Sequence, residues 1–110
     1  MENDTNVYIN AEDGVKRVGG NMALYKKLLT RFAEGNYLES LTTELENGSL
    51  EGAANMAHTI KGVSANLSLT KVNEISAALE SALKNGKPHD ELYAQLKTAA
   101  AATIERINSL

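Results

Sequence analysis

The chain has no cysteine, no tryptophan and only one proline, Pro88, in 110 residues. Without cysteine there is no disulfide, no thiol nucleophile and no thiolate metal site, a composition at home in a reducing compartment. The stretch Met1–Asn10 lacks the basic flank and apolar run of a secretory leader, and nowhere do apolar residues approach the ~20 that span a bilayer. These absences lead us to expect a cytoplasmic protein without membrane association. Positive charge is also in short supply: eleven Lys and Arg against fourteen Asp and Glu leave a net charge of −3. That balance removes the electrostatic footprint of a nucleic-acid binder, and one Phe and four Tyr offer little for stacking on bases.

The residues that are present favour helix. Scarce proline with abundant Ala and Leu argues against strands, and a 43% hydrophobic composition is enough for one core. We expect a single domain over residues 1–110, with residues 1–9 a loosely ordered N-terminal segment. Each apolar-periodic segment is framed by a capping residue in front and Gly or Asn behind. Asn10 caps a short helix over residues 11–18 that stops at Gly19-Gly20. Asn21 opens a second, residues 22–34, with Leu24, Leu28 and Phe32 on one stripe. Gly35-Asn36 reads either as an end or as a kink, since Leu38, Leu41 and Leu45 resume an apolar face before Asn47-Gly48.

Ser49 begins the next helix, in which Ala53, Ala57, Ile60, Ser64 and Leu67 are spaced four, three, four, three, as on the buried side of a bundle helix. Ser68 or Thr70 caps its successor, which carries Val72, Ile75, Leu79, Ala82 and Leu83 inward. Pro88 suits the first turn of a last helix bearing Leu92, Leu96, Thr103 and Ile107. Loops this short imply antiparallel neighbours. With segments 22–34 and 37–46 counted as one, the expectation is an all-α, antiparallel up-down-up-down four-helix bundle with a short additional N-terminal helix. A monomer is expected, since no exposed apolar stripe stands out.

The chain has only two histidines, and they occupy very different surroundings. His89, beside Pro88, has no metal-spaced partner and reads as a solvated surface residue. His58 follows the buried Ala57, at the edge of the core stripe and open to solvent. Three and four positions away lie Ala54, Asn55, Lys61 and Gly62, and a further turn brings Ala65, so the histidine stands among small residues that leave room for a docking partner. Gly62 costs about 1 kcal/mol relative to Ala in a helix interior, which points to a close approach by something else. Lys61 places an ammonium one turn from the imidazole. No metal-binding set is visible, because two histidines thirty-one residues apart, without cysteine or a carboxylate cluster, make a poor site.

The run Ala57-His58-Thr59-Ile60-Lys61-Gly62 resembles the A-H-x-hydrophobic-K-G signature of histidine-containing phosphotransfer (HPt) domains. H-x-x-K-G beside one of two histidines arises by chance in roughly 1% of chains. The resemblance extends to Val15-Lys16-Arg17-Val18-Gly19-Gly20 with Leu24, Leu28, Leu29 and Phe32, similar to the family's opening, and to Asn66-Leu67 at the close of the histidine helix. Two positions depart from the family pattern: Val63 stands where many members have a small residue, and Ser68 where they have Gly.

The resemblance implies a phosphorelay intermediate, in which His58 accepts a phosphoryl group and passes it to or from a receiver-domain aspartate. The implied partners are a response regulator receiver domain and a histidine kinase or hybrid kinase. No cofactor is expected on this chain: it has no G-x-x-x-x-G-K-[ST] loop for a triphosphate, and magnesium belongs to the receiver. Glu80, one position past the inward Leu79 and at a point where several members place Glu or Gln, is expected to orient the imidazole by accepting a hydrogen bond from its protonated nitrogen. Lys84, one turn on, adds positive charge. A reading from another class, a non-catalytic helical adaptor in which His58 is incidental, is separated from this one by an assay for phosphohistidine.

Overall fold

The computed structural model describes residues 8–110. Among them there are six helices and no strand: α1 Ala11–Arg17, α2 Met22–Glu34, α3 Tyr37–Glu46, α4 Leu50–Leu67, α5 Thr70–Lys84 and α6 Asp90–Asn108. Most of the expected loose segment 1–9 lies outside the described residues, but Ile9 is fully buried and Asn10 N–H bonds to Ser68 O at 2.9 Å.

Three helices start as their sequence dictates. The side chains of Asn10, Asn21 and Ser49 accept from the N–H groups of Asp13, Leu24 and Gly52 at 3.2, 3.0 and 3.1 Å, satisfying donors that the helix itself cannot. The later starts differ from expectation. Neither Ser68 nor Thr70 caps α5; Leu69 occupies the N-cap without a side-chain bond. Pro88 stands two residues ahead of α6, whose N-cap is His89. Gly35, in extended conformation with ψ 162°, ends α2, so α2 and α3 are separate helices.

Helices α4 and α5 form the most extensive contact, with α3 against α4, α6 against α5, and α2 against both α6 and α4. Only Ser68 and Leu69 join α4 to α5, and the contacts Asn73–Lys61 and Glu80–His58 run in opposite senses along the two helices, so this pair is an antiparallel hairpin. The inward residues expected on α4 and α5 are all buried. On α2 the stripe is turned by a fraction of a turn: Tyr25, Leu29 and Phe32 are buried, Leu28 is half-buried and Leu24 is 40% exposed. Tyr25 decides this. Its hydroxyl donates to Leu67 O at 2.6 Å, which removes the cost of burying it, and the apolar ring then belongs in the core. Burial, followed by the negative charge of Asp13, pushes the phenol up to about 12.

Gly14 makes room for that ring. A Cβ on Gly14 would lie 2.4 Å from ring atoms of Tyr25. We predict that Gly14→Ala lowers stability by about 1–3 kcal/mol despite its better helix propensity, because the displaced ring cannot move without losing its hydrogen bond. Urea denaturation checks this; a variant as stable as the parent would show that the ring yields freely.

The α4–α5 turn carries a second local peculiarity. Ser68 adopts the left-handed conformation at φ 56°, at a cost of roughly 1–2 kcal/mol for a residue with a Cβ. Its hydroxyl donates to Asp13 Oδ2 at 2.5 Å and its carbonyl accepts from Asn10, so the strain is offset by tying the turn to α1. The Ser68 hydrogen bond, with help from Arg17, holds the Asp13 carboxyl below its ordinary value.

Candidate functional site

His58 lies mid-way along α4, on the side that borders α5, and its side chain is 65% exposed. Its Nδ1 is 3.0 Å from Oε2 of Glu80, which projects from α5 and is only 6% exposed. Two ammonium groups meet the same carboxylate: Lys61 Nζ at 2.8 Å from Oε1, and Lys84 Nζ, one turn along α5, at 2.6 Å from Oε2. Three side chains from two helices therefore converge on the one buried carboxylate of Glu80.

The charge state of that carboxylate settles the tautomer of the histidine. Hydrogen bonds from Lys61 and then Lys84, outweighing desolvation, with a further bond from His58, lower the Glu80 carboxyl from 4.5 to about 2. It is ionised at neutral pH and can only accept. Nδ1 must then carry the proton, and the lone pair of a neutral ring resides on Nε2. Two ammonium groups and one carboxylate leave the cluster with one surplus positive charge when the imidazole is neutral.

The small residues expected around His58 divide. Asn55 and Gly62 are exposed, and Ala65 is half-buried. Ala54 is a correction: at 5% exposure it belongs to the core, because the side of α4 it occupies is covered rather than open to a partner. Among the described residues nothing lies within 4 Å of the position a Cβ on Gly62 would take, so no packing among them accounts for this glycine. Thr59 and Asn66, one and eight positions from His58, are also exposed; Asn66 is two steps of four from the histidine, whereas Thr59 is missed by a search at spacings of three and four. Val63 is half-buried, and with Leu28, Arg31 and Asn66 it lines a shallow groove between α2 and α4. His89 is not the solvated residue expected: its ring is 26% exposed at the start of α6, with Nε2 3.7 Å from Asp90 Oδ1.

An exposed imidazole whose proton is fixed by a buried carboxylate, flanked by two ammonium groups, joins a nucleophilic nitrogen to a local store of positive charge. The sequence model of the Hpt domain matches residues 28–108, and the chain belongs to that family. His58, Lys61, Gly62, Glu80 and Lys84 fall inside the match; Val15–Gly20 and Leu24 precede it. No curated protein and no solved structure matches the chain. Hpt domains are phosphotransfer modules of two-component signalling, without a kinase or ATP site of their own, and the chain is accordingly a phosphorelay component. Members interact with receiver domains and kinases. Among the described residues no helix is long and apolar enough to cross a membrane.

Proposed function

We propose that His58 is the phospho-accepting residue and that it exchanges a phosphoryl group with a receiver-domain aspartate. The observation that carries this reading is the 3.0 Å contact between Nδ1 of the exposed imidazole and the buried Glu80 carboxylate. It leaves Nε2 as the nucleophile. In the forward step the Nε2 lone pair attacks phosphorus, the N–P bond forms, the bond from phosphorus to the receiver's aspartyl oxygen breaks, and the aspartate leaves as carboxylate. The ring acquires positive charge while keeping its Nδ1 proton, and that proton faces Glu80, so no proton has to leave during transfer.

Lys61 and Lys84 act as electrostatic partners of the phosphoryl group. Its transition state is loose, with charge spread over equatorial oxygens, and the surplus positive charge of the cluster meets it without covalent participation. Glu80 orients the ring, and Asn55, Gly62 and Ala65 form part of the docking surface. The chain works without an ATP site or cofactor, as a cytoplasmic monomer, with magnesium supplied by the receiver. We further propose that α2 and α3 together form one arm of an antiparallel up-down-up-down four-helix bundle with α4, α5 and α6, with α1 as the short additional helix.

Incubation with a receiver domain charged by a small phosphodonor tests the function. The chain should acquire a label that is lost in acid and retained in alkali. Absence of such a label, with a receiver competent toward another Hpt domain from the same host, would leave the adaptor reading in its place.

Gly62 provides a separate check. We expect Gly62→Ala to raise stability by about 0.5–1 kcal/mol, since the added methyl meets nothing and the helix gains propensity. Gly62→Gln should fold equally well yet transfer more slowly, as its side chain stands where the receiver approaches. Parent-like transfer by the Gln variant would remove Gly62 from the docking surface.

A further inference from the structure

Asn73 closes the first turn of α5, its N–H bonded to Leu69 O at 2.9 Å. Asparagine is a weak helix former because its short amide competes with the backbone, so its presence in a helix calls for a reason. Its Nδ2 donates to the carbonyl oxygen of Lys61, in the interior of α4, at 2.9 Å. Because that partner is a carbonyl, only the amide nitrogen can face it. The same oxygen already belongs to the α4 ladder, with the Ser64 hydroxyl, whose proton goes chiefly to Ile60 O at 2.7 Å, only 3.1 Å away. The backbone of α4 therefore does not need Asn73 for its own satisfaction. What the bond adds is a tie between the two helices.

The location of this tie gives it consequence. Lys61 is one turn from His58, and its ammonium is on Glu80 Oε1 at 2.8 Å. Asn73 precedes Glu80 by seven residues, two turns or about 10 Å along the same side of α5. The hydroxyls of Ser64 and Ser76, buried near this interface, turn back to carbonyls of their own helices, Ile60 O and Val72 O, each at 2.7 Å, and leave the register to other groups. A slide of one residue is 1.5 Å, which stretches a 3.0 Å contact running across the helices to about 3.4 Å, beyond the range of a good hydrogen bond.

We propose that Asn73 is a positioning residue: by fixing Lys61 against α5 it sets the height at which His58 Nδ1 meets Glu80 and Nε2 faces outward. Its consequence for transfer rests on the phosphorelay reading; its consequence for the ring does not. The test compares Asn73→Leu, similar in volume but without a donor, with Asn73→Ala, using the imidazole nitrogen NMR shifts of the unphosphorylated protein and the rate of transfer from a phosphorylated receiver. In the parent the neutral His58 ring should carry its proton on Nδ1, opposite to the Nε2–H form that free imidazole side chains favour in water. Both variants should shift toward the Nε2–H form and transfer about five- to tenfold more slowly, with receiver affinity unchanged. Gly14→Ala, destabilised at a distant site, should leave the nitrogen shifts at their parental values. Nitrogen shifts unaltered in both Asn73 variants overturn the proposal, whether or not His58 carries phosphate, whereas failure of the phosphorelay reading is seen in the labelling of the parent.

Discussion

His58→Gln is expected to abolish phosphoryl acceptance and to leave the melting temperature close to that of the parent. The reason for the first is chemical: glutamine has no ring nitrogen with a free lone pair, and nothing else in the cluster is a nucleophile for phosphorus, since Lys61 and Lys84 are held as ammonium groups on Glu80. The reason for the second is structural. At 65% exposure His58 contributes little to the core, and a glutamine amide can still donate to Glu80, so the buried carboxylate keeps its partners. His89→Gln is the matching control. That residue caps α6 without a side-chain hydrogen bond, so its loss should affect neither labelling nor stability by more than a few tenths of a kcal/mol. Acid-labile label retained by His58→Gln at the parental level would move the accepting nitrogen elsewhere, with His89 the remaining histidine.

The parts of this fold legible in the sequence are those whose cause is local. The four-three spacing of small and apolar residues on α4 fixes its buried side, and Asn10, Asn21 and Ser49 mark helix starts through a hydrogen bond within one turn. Glu80 is placed beside His58 by its position one past the inward Leu79 and by the family resemblance, since several members have Glu or Gln there; the two-residue connection that fixes the register is seen only in the fold. What escaped depends on neighbours distant in sequence. The apolar spacing puts Leu24 on the inward stripe of α2 and does not point to Tyr25, because only the fold supplies the Leu67 carbonyl that satisfies the Tyr25 hydroxyl. Ala54 shares a helical neighbourhood with His58, yet packing within the bundle closes over it. Leu69 and His89 begin helices with no side-chain signal at all. The amide of Asn73 finds its acceptor on another helix, twelve residues away in sequence, where no local rule would look.

The chemistry-bearing positions also depart most from what stability alone would select. Gly62 forgoes helix propensity without gaining packing, and Glu80 puts a carboxylate where its helix is otherwise buried. Neither choice is explained by the core, and both adjoin His58. In the hydrophobic stripe of α5 a leucine at position 80 would add apolar burial, but it would leave the Nδ1 proton unpartnered and Lys61 and Lys84 without the charge that holds them together. The cost of placing the carboxylate is thus met by the same three groups that the proposed reaction uses.

Glu80 is accordingly the residue at which stability and transfer are expected to change together. Its carboxyl is lowered to about 2 from an ordinary 4.5, chiefly by Lys61 and Lys84. A group depressed in the folded state stabilises fully above its unfolded value and loses that contribution as pH falls through the folded one. The parent should therefore exceed Glu80→Gln in stability by about 1–2 kcal/mol at neutral pH, a modest figure because Lys61 and Lys84 remain 37% and 58% exposed and water screens them. The gap should narrow as pH falls below 4.5 and nearly close by about 2. Asp13, lowered by its bond to Ser68, titrates in both proteins and cancels from the difference. Glu80→Gln keeps an acceptor oxygen for Nδ1–H and should slow transfer modestly, whereas Glu80→Ala frees the ring and both lysines and should slow it by about tenfold to a hundredfold, still less than the loss of His58. Urea denaturation of parent and Glu80→Gln across acid pH, with transfer rates of both variants at neutral pH, decides the matter. A stability gap of constant size at every pH would assign the loss to packing rather than to charge, and equal transfer by Glu80→Ala would show that the imidazole needs no carboxylate to present Nε2.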